Sequence, residues 1–277
     1  MTTSIIIPAH DEERALGATL QAVLSNAQDD EFDVVVVANG CTDGTESLVR
    51  SFAPAVRLLR IDTASKTAAL NAAEQSGLRG SRIYLDADVV MPTLTARALV
   101  TALDVSQPVL AVPTPDVVQP TASWLVRSYN STWYRLSALR GDCQGTGVYA
   151  LNSAAREMFI EFPAVIADDL FIHKMFEGRC VQIAESVRVR PPQTFSSLMK
   201  VRTRVFAGNY VYLAERASRL RSGRLEVRPF LPLLARPDAW PGMAAYVLIT
   251  LAAKLSAGSR LRQDSGHEWS QDLSTRL

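Results

Sequence analysis

The sequence is poor in cysteine, with three in 277 residues. Cys41, Cys143 and Cys180 are far apart and form no Cys-x-x-Cys pair. A disulfide framework needs a dense and regular set of cysteines, and reduced thiols are the rule in the cytosol. We therefore expect reduced thiols and a cytoplasmic protein.

Two other features are missing. No Gly-x-Gly-x-x-Gly follows the first predicted strand, which argues against a Rossmann dehydrogenase. The N-terminus has no basic segment followed by a long apolar stretch, so we expect no signal peptide.

The apolar segment from Met243 to Ala253 is shorter than the roughly 18 residues of a membrane span. We expect a core helix or an interfacial helix there.

The composition indicates a folded protein with uneven charge. Hydrophobic residues make up 48% of the chain, enough for a substantial core, and the net charge of +1 argues against nucleic acid as a partner. The average hides a basic region, because Arg188 to Arg262 holds fourteen arginines and lysines against three acids. Such a region suits an anionic ligand or an anionic membrane surface.

One short apolar run ends in two acids, Asp86-Ala87-Asp88. The run Arg82 to Leu85 is typical of a buried strand, and a desolvated carboxylate is costly unless a cation or a donor compensates it. At the carboxyl edge of a parallel sheet the pair would face the crevice where α/β proteins bind ligands. One or two carboxylates with substrate phosphates commonly hold Mg²⁺ or Mn²⁺. Taken alone, an Asp-x-Asp more often marks a turn with two solvated acids.

Strands and helices alternate along the chain, which predicts an α/β fold with a mostly parallel sheet. The pattern predicts strands at Ser4–Pro8, Phe32–Val37, Ala55–Ile61, Arg82–Leu85, Val109–Val112, Val148–Leu151 and Val181–Ala184. Pro113 and Pro115 are expected to end the fifth of these strands. The same pattern predicts helices at Leu16–Leu24, Lys66–Gln75, after Pro92, Trp124–Leu139, Ile166–Glu177 and Ser197–Leu220.

Several short polar motifs follow the predicted strands and helices in a fixed order along the chain. They are Pro8-Ala9-His10-Asp11-Glu12, Asn39-Gly40-Cys41-Thr42-Asp43-Gly44-Thr45, Lys66 with Ala69-Leu70-Asn71, Asp86-Ala87-Asp88, Asp168-Asp169 and Arg202-Thr203-Arg204. Each is weak alone, but together they run from about residue 4 to residue 208. On these residues the chain resembles inverting glycosyltransferases of the family 2 type.

The resemblance implies a GT-A type nucleotide-diphospho-sugar transferase fold, with a central sheet flanked by helices and a helical C-terminal extension. It implies a glycosyltransferase domain over residues 1–212, with a nucleotide-binding half at 1–115 and an acceptor-binding half at 116–212. The basic, partly apolar extension would cover 213–277. The family's Gln-x-x-Arg-Trp is absent, since Val201 and Val205 stand where its Gln and Trp would be, which argues against processive polymer synthesis.

The resemblance also implies roles for individual residues. The predicted nucleotide-binding residues are Pro8, Ala9, His10, Glu12, Asn39, Lys66, Asp86, Arg202 and Arg204. Asn39 stands where the family often has aspartate, and because an amide both donates and accepts, it leaves the choice among uridine, guanosine and thymidine open. Without the resemblance, Glu12 and Asn39 are explained as well by capping and turn formation. Asp43 is expected to hold its own turn.

The remaining predicted roles concern the reaction. Asp88 would be the direct ligand of Mn²⁺ or Mg²⁺, with Asp86 nearer the ribose or sharing the metal. Asp169 would be the general base that deprotonates the acceptor, supported by Asp168. The loop Gly145, Thr146 and Gly147 would approach the sugar or the acceptor. Taken bare, an Asp-Asp pair opening a helix is more often a cap.

We therefore expect a metal-dependent, inverting, non-processive hexosyltransferase that uses a UDP-sugar or, as alternatives, a GDP- or dTDP-sugar. The acceptor is a saccharide, a lipid-linked molecule or a small molecule, and no nucleic acid is involved. Two other functions are weighed, a sugar-phosphate nucleotidyltransferase and a non-catalytic nucleotide-sugar binding protein. The segment Ala9 to Glu13 is acidic and lacks glycine, which argues against the first. A peripheral contact with the inner face of the membrane and a homodimer are left open.

Overall fold

The computed structural model describes residues 3–78, 80–140, 143, 147–164, 168–216 and 231–263. The strands in these ranges are β1 Thr3–Ala9, β2 Phe32–Asn39, β3 Val56–Ile61, β4 Arg82–Leu85, β5 Leu110–Val117, β6 Val148–Leu151 and β7 Cys180–Val189. The helices are α1 Leu16–Leu24, α2 Thr45–Arg50, α3 Lys66–Gln75, α4 Thr93–Ala102, α5 Trp124–Arg140, α6 Ser153–Arg156, α7 Asp168–Met175, α8 Phe195–Arg216, α9 Leu231–Leu234 and α10 Trp240–Gln263. A 3₁₀ turn, Pro237–Ala239, precedes α10.

The strands form one seven-stranded sheet in the order β3-β2-β1-β4-β6-β5-β7. Only β6 runs antiparallel to its neighbours in this sheet; the other pairings are parallel. The predicted α/β fold with a mostly parallel sheet is confirmed. The carboxyl ends of β1, β2 and β4 and the beginning of β6 consequently meet at one edge.

Both faces of the sheet are covered by helices, as the apolar strands require. Alternate residues of β1 point to opposite sides, so that Ile5 and Ile7 pack with α1 and α4, whereas Ile6 packs with α3 and α7. All three isoleucines are fully buried. The face covered by α3 and α7 is the one that builds the candidate site.

Of the strands that are longer than predicted, β5 and β7 extend furthest beyond their predicted ends. β5 continues through Pro113 and Pro115 to Val117, and β7 extends to Val189. β6 pairs with β5 only at Leu110 and Ala111, the first two residues of β5. Beyond them, no described strand pairs with this side of β5, and an unpaired side tolerates prolines, which lack an amide donor. Pairing with β7 continues past a register shift and carries both strands beyond their predicted ends.

The cysteine prediction is wrong for one pair. Cys143 and Cys180 form a disulfide across 37 residues, and Cys41 is a free thiol. The sequence spacing could not reveal this bond, because only the fold brings Cys143 against Cys180, the first residue of β7. The cysteine pattern is therefore no argument for a cytosolic setting, and the cytoplasmic location stays a prediction.

Three long helices, α5, α8 and α10, pack against one another. Their shared core contains Tyr129 of α5, Leu198 of α8 and Ile249 of α10. α10 is 24 residues long, and the stretch Pro237–Ser259, which begins in the 3₁₀ turn before α10, is long and apolar enough to cross a membrane by length and composition. The expected core helix is buried along one face only.

Candidate active site

Three charged side chains from separate elements meet at the carboxyl edge of the sheet. Lys66 is the first residue of α3, Asp86 follows β4 directly, and Asp168 is the first residue of α7. The Lys66 Nζ lies 2.7 Å from Asp86 Oδ1 and 3.2 Å from Asp168 Oδ1. The structure thus joins three of the predicted motifs, which are up to a hundred residues apart in the chain, through one ammonium group.

Asp168 is the most buried member of this cluster, with 4% of its side chain exposed. Burial raises the pKa of Asp168 to about 6, although the positive charge of Lys66 opposes the rise. Burial by itself would lower the pKa of Lys66, but the charges of Asp168 and Asp86 outweigh it and raise that pKa above its usual value. Lys66 therefore stays protonated.

Tyr149 completes the surroundings of Asp168 and was not predicted. Its hydroxyl donates a hydrogen bond to Asp168 Oδ2 over 3.2 Å, so each Asp168 oxygen has a partner. The Tyr149 ring lies opposite Tyr84 across the β4–β6 pairing and stacks on it. The only signal in the sequence is a hydroxyl-bearing residue inside an apolar strand. The sequence does not identify Asp168 as its partner, because the contact depends on the position of β6 beside β4 in the sheet.

The other two predicted carboxylates, Asp88 and Asp169, are exposed. Asp169 Oδ1 accepts a hydrogen bond from the Leu170 amide over 2.7 Å. This local bond holds the Asp169 side chain at the first turn of α7. Asp169 lies close enough to Lys66 for its charge to contribute to the raised pKa of that lysine. The edge therefore combines a partly buried ionic cluster with two accessible carboxylates.

Gly147 holds the backbone against Asp86. The Asp86 amide donates to the Gly147 carbonyl over 2.8 Å, and Gly147 has a φ of +73°. A Cβ at this position would lie 2.8 Å from both Asp86 Oδ2 and Val89 Cγ2, closer than non-bonded atoms approach. Only glycine fits here, for both its φ and its close contacts. The other members of the predicted loop, Gly145 and Thr146, lie outside the described residues.

This contact predicts unequal effects of two glycine substitutions. Gly178 has a φ of +77° with open space around it, so Gly178→Ala is expected to cost about 1–2 kcal/mol, the penalty of the left-handed conformation. Gly147→Ala adds the clash with Asp86 and should cost about 1–3 kcal/mol more. Urea unfolding of both variants measures the difference, and equal losses would show that Asp86 does not need this close approach.

Several of the predicted nucleotide-binding residues lie at the ends of β1 and β2. The His10 Nδ1–H donates to the Asn39 backbone carbonyl over 2.7 Å, and the Glu12 amide donates to Thr45 Oγ1 over 2.7 Å. Pro8 and Ala9 are buried in β1. Asn39 is fully buried, and neither atom of its side-chain amide has a hydrogen-bond partner in the described part of the chain. The end of β2 therefore holds a buried donor and a buried acceptor that are both unused.

A second acidic group lies on the turn after β2. Potential ligand atoms of Asp11, Cys41 and Asp43 lie within 4.8 Å of one another. The Asp11 carboxylate accepts both amides of the segment Thr42-Asp43, and Asp43 Oδ1 accepts the Thr45 amide, which confirms that Asp43 holds its own turn. Burial raises the pKa of the Cys41 thiol, and a neutral thiol is a poor ligand for Mn²⁺ or Mg²⁺. These groups serve the turn.

The predicted arginines of α8 are placed differently. The Arg202 guanidinium lies 4.7 Å from the centre of the Trp133 ring and 5.2 Å from that of Tyr129, both on α5. It forms no ion pair with the described carboxylates of Asp86 and Asp168. Arg204 is partly buried on the same helix. The structure thus stacks Arg202 on aromatic rings of the helical layer.

A cleft of about 480 Å³ opens between the sheet and α5. It is lined by Thr114, Pro115, Val117, Gln119, Ser131, Tyr134, Arg135 and Gln182. Gln182 alternates along β7 with Ile183, which packs on the opposite face of the sheet, so the cleft opens on the face that carries α3 and α7. Its β5 residues lie in the carboxyl-terminal half of a strand that runs in the same direction as β4. The cleft therefore lies on the same face and toward the same edge as Asp168.

Comparison with known proteins identifies the class. The protein family described as "Glycosyl transferase family 2" matches residues 4–164 of the chain. The fold is similar to the mannosyltransferase PcManGT from Pyrobaculum calidifontis in complex with GDP-Man and Mn²⁺, with a TM-score of 0.61 and 20% identity over 95% of this chain and 76% of that one. No curated protein sequence matches the chain.

Two further solved structures share the fold. Glucosyl-3-phosphoglycerate synthase from Mycobacterium tuberculosis in complex with UDP is 19% identical over 80% of this chain and 82% of that one, with a TM-score of 0.55. S. aureus TarS 1–349 in complex with UDP-GlcNAc is 14% identical over 95% of this chain and 92% of that one, with a TM-score of 0.54.

Fold and family together define a glycosyltransferase with a GT-A type nucleotide-sugar transferase fold. The family match covers more than half of the sequence, and the chain belongs to glycosyl transferase family 2. Three predictions are therefore confirmed: the family that the motifs indicate, the GT-A type fold, and the enzyme class. The residue roles and the substrates are the subject of the proposals below.

Proposed function

We propose that this protein transfers one hexosyl group from a nucleoside-diphosphate sugar to an acceptor hydroxyl, with inversion at the anomeric carbon and with the help of a divalent cation. The observation that carries the proposal is the Lys66 ammonium, which contacts both Asp86 and Asp168. The exposed carboxylates Asp88 and Asp169 lie next to these two residues in the sequence. A transferase of this kind needs one carboxylate for the donor and another for the acceptor.

The donor base is proposed to bind at the ends of β1 and β2. The unused amide of Asn39 offers one donor and one acceptor, which matches an imide edge that presents an N–H beside a carbonyl. Uracil, thymine and guanine all present such an edge, so the amide fits a UDP-sugar, which is the donor we favour, and equally the alternatives GDP-sugar and dTDP-sugar. Pro8, Ala9, His10 and Glu12 would complete the pocket for base and ribose.

The diphosphate is proposed to bind beside Asp88, with Asp86 toward the ribose. The exposed Asp88 carboxylate follows a buried strand and is a hard oxygen ligand, and one such ligand with substrate phosphates is enough for Mn²⁺ or Mg²⁺. A cation bound there would neutralise charge on the leaving diphosphate. Lys66 keeps Asp86 in place and adds a positive charge, whereas contacts of Arg202 and Arg204 with the diphosphate stay predictions.

Asp169 is proposed as the general base. Each oxygen of its neighbour Asp168 already has a partner, Lys66 or Tyr149, so Asp169 is the member of the pair that is available to take the acceptor proton. Its exposure at the start of α7 allows a hydroxyl to reach it. Asp168 then acts as a positioning residue that ties the first turn of α7 to Lys66.

The acceptor is proposed to bind in the half formed by residues 116–212, opposite the nucleotide-binding half 1–115. The cleft between β5 and α5 supports this, because it lies on the same face of the sheet as Asp168. Ser131, Tyr134 and Gln182 offer neutral polar groups there and Arg135 offers one cation. These groups suit a hydroxylated acceptor, whether it is a saccharide, a lipid-linked molecule or a small molecule.

A thermal-shift panel of UDP, GDP, dTDP and ADP, each with and without Mn²⁺, tests the donor part of the proposal. Ligand binding to the folded state raises the melting temperature, and we expect the largest rise for UDP with Mn²⁺ present. A panel with no metal-dependent rise for any nucleotide would contradict the proposal.

Asp88→Ala is predicted to abolish the part of the thermal shift that depends on Mn²⁺. The substitution removes the proposed ligand from an exposed position, so the melting temperature without ligand should stay close to that of the parent. The matched control is Asp62→Ala, whose side chain is 94% exposed after β3 and whose shift should be unchanged. An unchanged Mn²⁺ effect in Asp88→Ala would remove that residue as the ligand.

A further inference from the structure

α10 has an inner face that is fixed to the rest of the protein. Its buried residues Ala245, Ile249, Ala253 and Ala257 recur every four positions and pack toward α5 and α8. A Cβ on Gly242 would lie 2.8 Å from Thr132 Oγ1 of α5, so the helices approach closely at this end. The helix is therefore anchored along one side of its length.

The outer face of α10 is apolar and exposed. Leu248, Leu251 and Leu255 expose 67%, 53% and 76% of their surface, and Val247 exposes 42%. Trp240, 55% exposed, lies two turns earlier on the same helix. The spacing of seven, eight, eleven and fifteen residues from Trp240 puts all five on one stripe. Contiguous apolar surface of this kind in the described chain marks an interaction site.

Basic residues flank this stripe. Arg236 precedes α10, is exposed and forms an ion pair with Asp238 over 3.2 Å. Lys254 is exposed within the helix, with its Nζ 5.5 Å from the centre of the Phe206 ring. The sequence adds Arg260 and Arg262 in the last turns of the helix. The sequence between residues 188 and 262 holds fourteen basic residues against three acids, a local excess of positive charge that suits an anionic surface.

We propose that α10 docks in the plane of an anionic lipid bilayer, with Trp240, Val247, Leu248, Leu251 and Leu255 inserted at the level of the acyl chains and the flanking basic residues at the headgroups. An apolar face with basic residues beside it is the pattern of interfacial helices. Each lysine or arginine close to such a surface strengthens binding by about 1 kcal/mol.

The packing favours this orientation over a membrane span. The helix is long enough to cross, since 23 residues extend for about 34 Å. A spanning helix would take its packed neighbours α5 and α8 into the lipid, and these carry the exposed charges of Arg127 and Lys200. Only the outer face of α10 can meet lipid while the inner face stays packed.

The charge also favours lipid over a second copy of the chain. A symmetric dimer through this stripe would bring the same face of both copies together. Lys254, which flanks the stripe, would then enter the same interface from both copies, and like charges repel. Phosphate groups of anionic lipids compensate these charges instead.

Co-sedimentation with vesicles tests the proposal without any substrate, so its failure would leave the proposed transferase function intact. The probe is vesicles of phosphatidylcholine alone or mixed with phosphatidylglycerol. We expect binding to the mixed vesicles that weakens as salt is added. Leu251→Gln/Leu255→Gln should weaken this binding about tenfold or more, because two apolar side chains no longer leave water. The control Leu94→Gln/Ile160→Gln changes residues that are 66% and 94% exposed elsewhere and should bind like the parent.

Three outcomes would overturn the proposal: no binding to mixed vesicles, equal binding by the Leu251/Leu255 variant, or a dimer in light scattering that the same variant dissociates. Melting temperatures show whether the variant is folded. If it is not, Arg236→Gln/Lys254→Gln provides a second test that leaves the apolar stripe intact. This charge variant should lose several-fold in affinity for the mixed vesicles and none for phosphatidylcholine alone; an unchanged affinity for the mixed vesicles would also overturn the proposal.

Discussion

Asp169→Asn is expected to lower the turnover of sugar transfer by about 10²–10⁴-fold, the usual contribution of a general base. The amide keeps the size of the side chain but cannot take a proton from the acceptor. Because Asp169 is exposed and its hydrogen bond to the Leu170 amide is local, the fold and the nucleotide pocket should stay intact. Turnover is measured with hexose donors that carry the nucleotide identified in the thermal-shift panel, together with the affinity for the matching nucleoside diphosphate.

The neighbouring Asp168→Asn provides the sharpest comparison. Asp168 is held by Lys66 and Tyr149, so its loss should reduce stability and nucleotide affinity as well as turnover, whereas Asp169→Asn should change turnover alone. Asp62→Asn, on an exposed residue after β3, should behave like the parent. Full turnover in Asp169→Asn would exclude it as the base, and a selective loss in Asp168→Asn would exchange the two roles.

Lys66→Met is expected to lower the free energy of unfolding by about 1–3 kcal/mol, since it leaves carboxylates without their cation. The range is below that of a fully buried pair because 27% of the Lys66 side chain and 36% of that of Asp86 are exposed. The same variant should lose nucleotide binding, because Asp86 is no longer held in place. Urea unfolding and a nucleotide titration measure the two effects.

A second substitution distinguishes charge compensation from packing in this cluster. Lys66→Met/Asp168→Asn removes the buried carboxylate together with its cation and should recover part of the lost stability. Lys174→Met is the matched control, because Lys174 forms an exposed pair with Glu177, and such pairs contribute less than about 1 kcal/mol. If the double variant is no more stable than Lys66→Met, the lysine acts through packing and the account of the cluster is wrong.

Much of the fold and of the site could be predicted because the signals are local. The apolar runs of the first strands and the spacing of Leu16, Leu20 and Val23 predict elements that the structure contains almost without change. The carboxyl ends of parallel strands meet at one edge by topology. Motifs that follow the strands, such as Asn39 and Asp86, therefore come together without knowledge of any tertiary contact.

The remaining features depend on contacts between distant segments. The bond between Cys143 and Cys180 and the hydrogen bond from Tyr149 to Asp168 exist only because β6 and β7 join the sheet next to β4 and β5. No spacing in the sequence encodes these neighbours. Arg202 shows the same limit, since a basic residue near the start of a helix carries no sign that aromatic rings of α5 will receive it.

The central claim is that the acids after β4 receive the donor diphosphate through a cation while Asp169 faces the acceptor side of the sugar. A crystal structure of the protein with UDP and Mn²⁺, recorded with anomalous data, tests it most directly. The account predicts a manganese peak between the Asp88 carboxylate and the diphosphate, with Asp169 directed at the open side of the position for the anomeric carbon. A manganese peak elsewhere, for example at Asp11 and Asp43, or an Asp169 side chain directed away from that position, would contradict it.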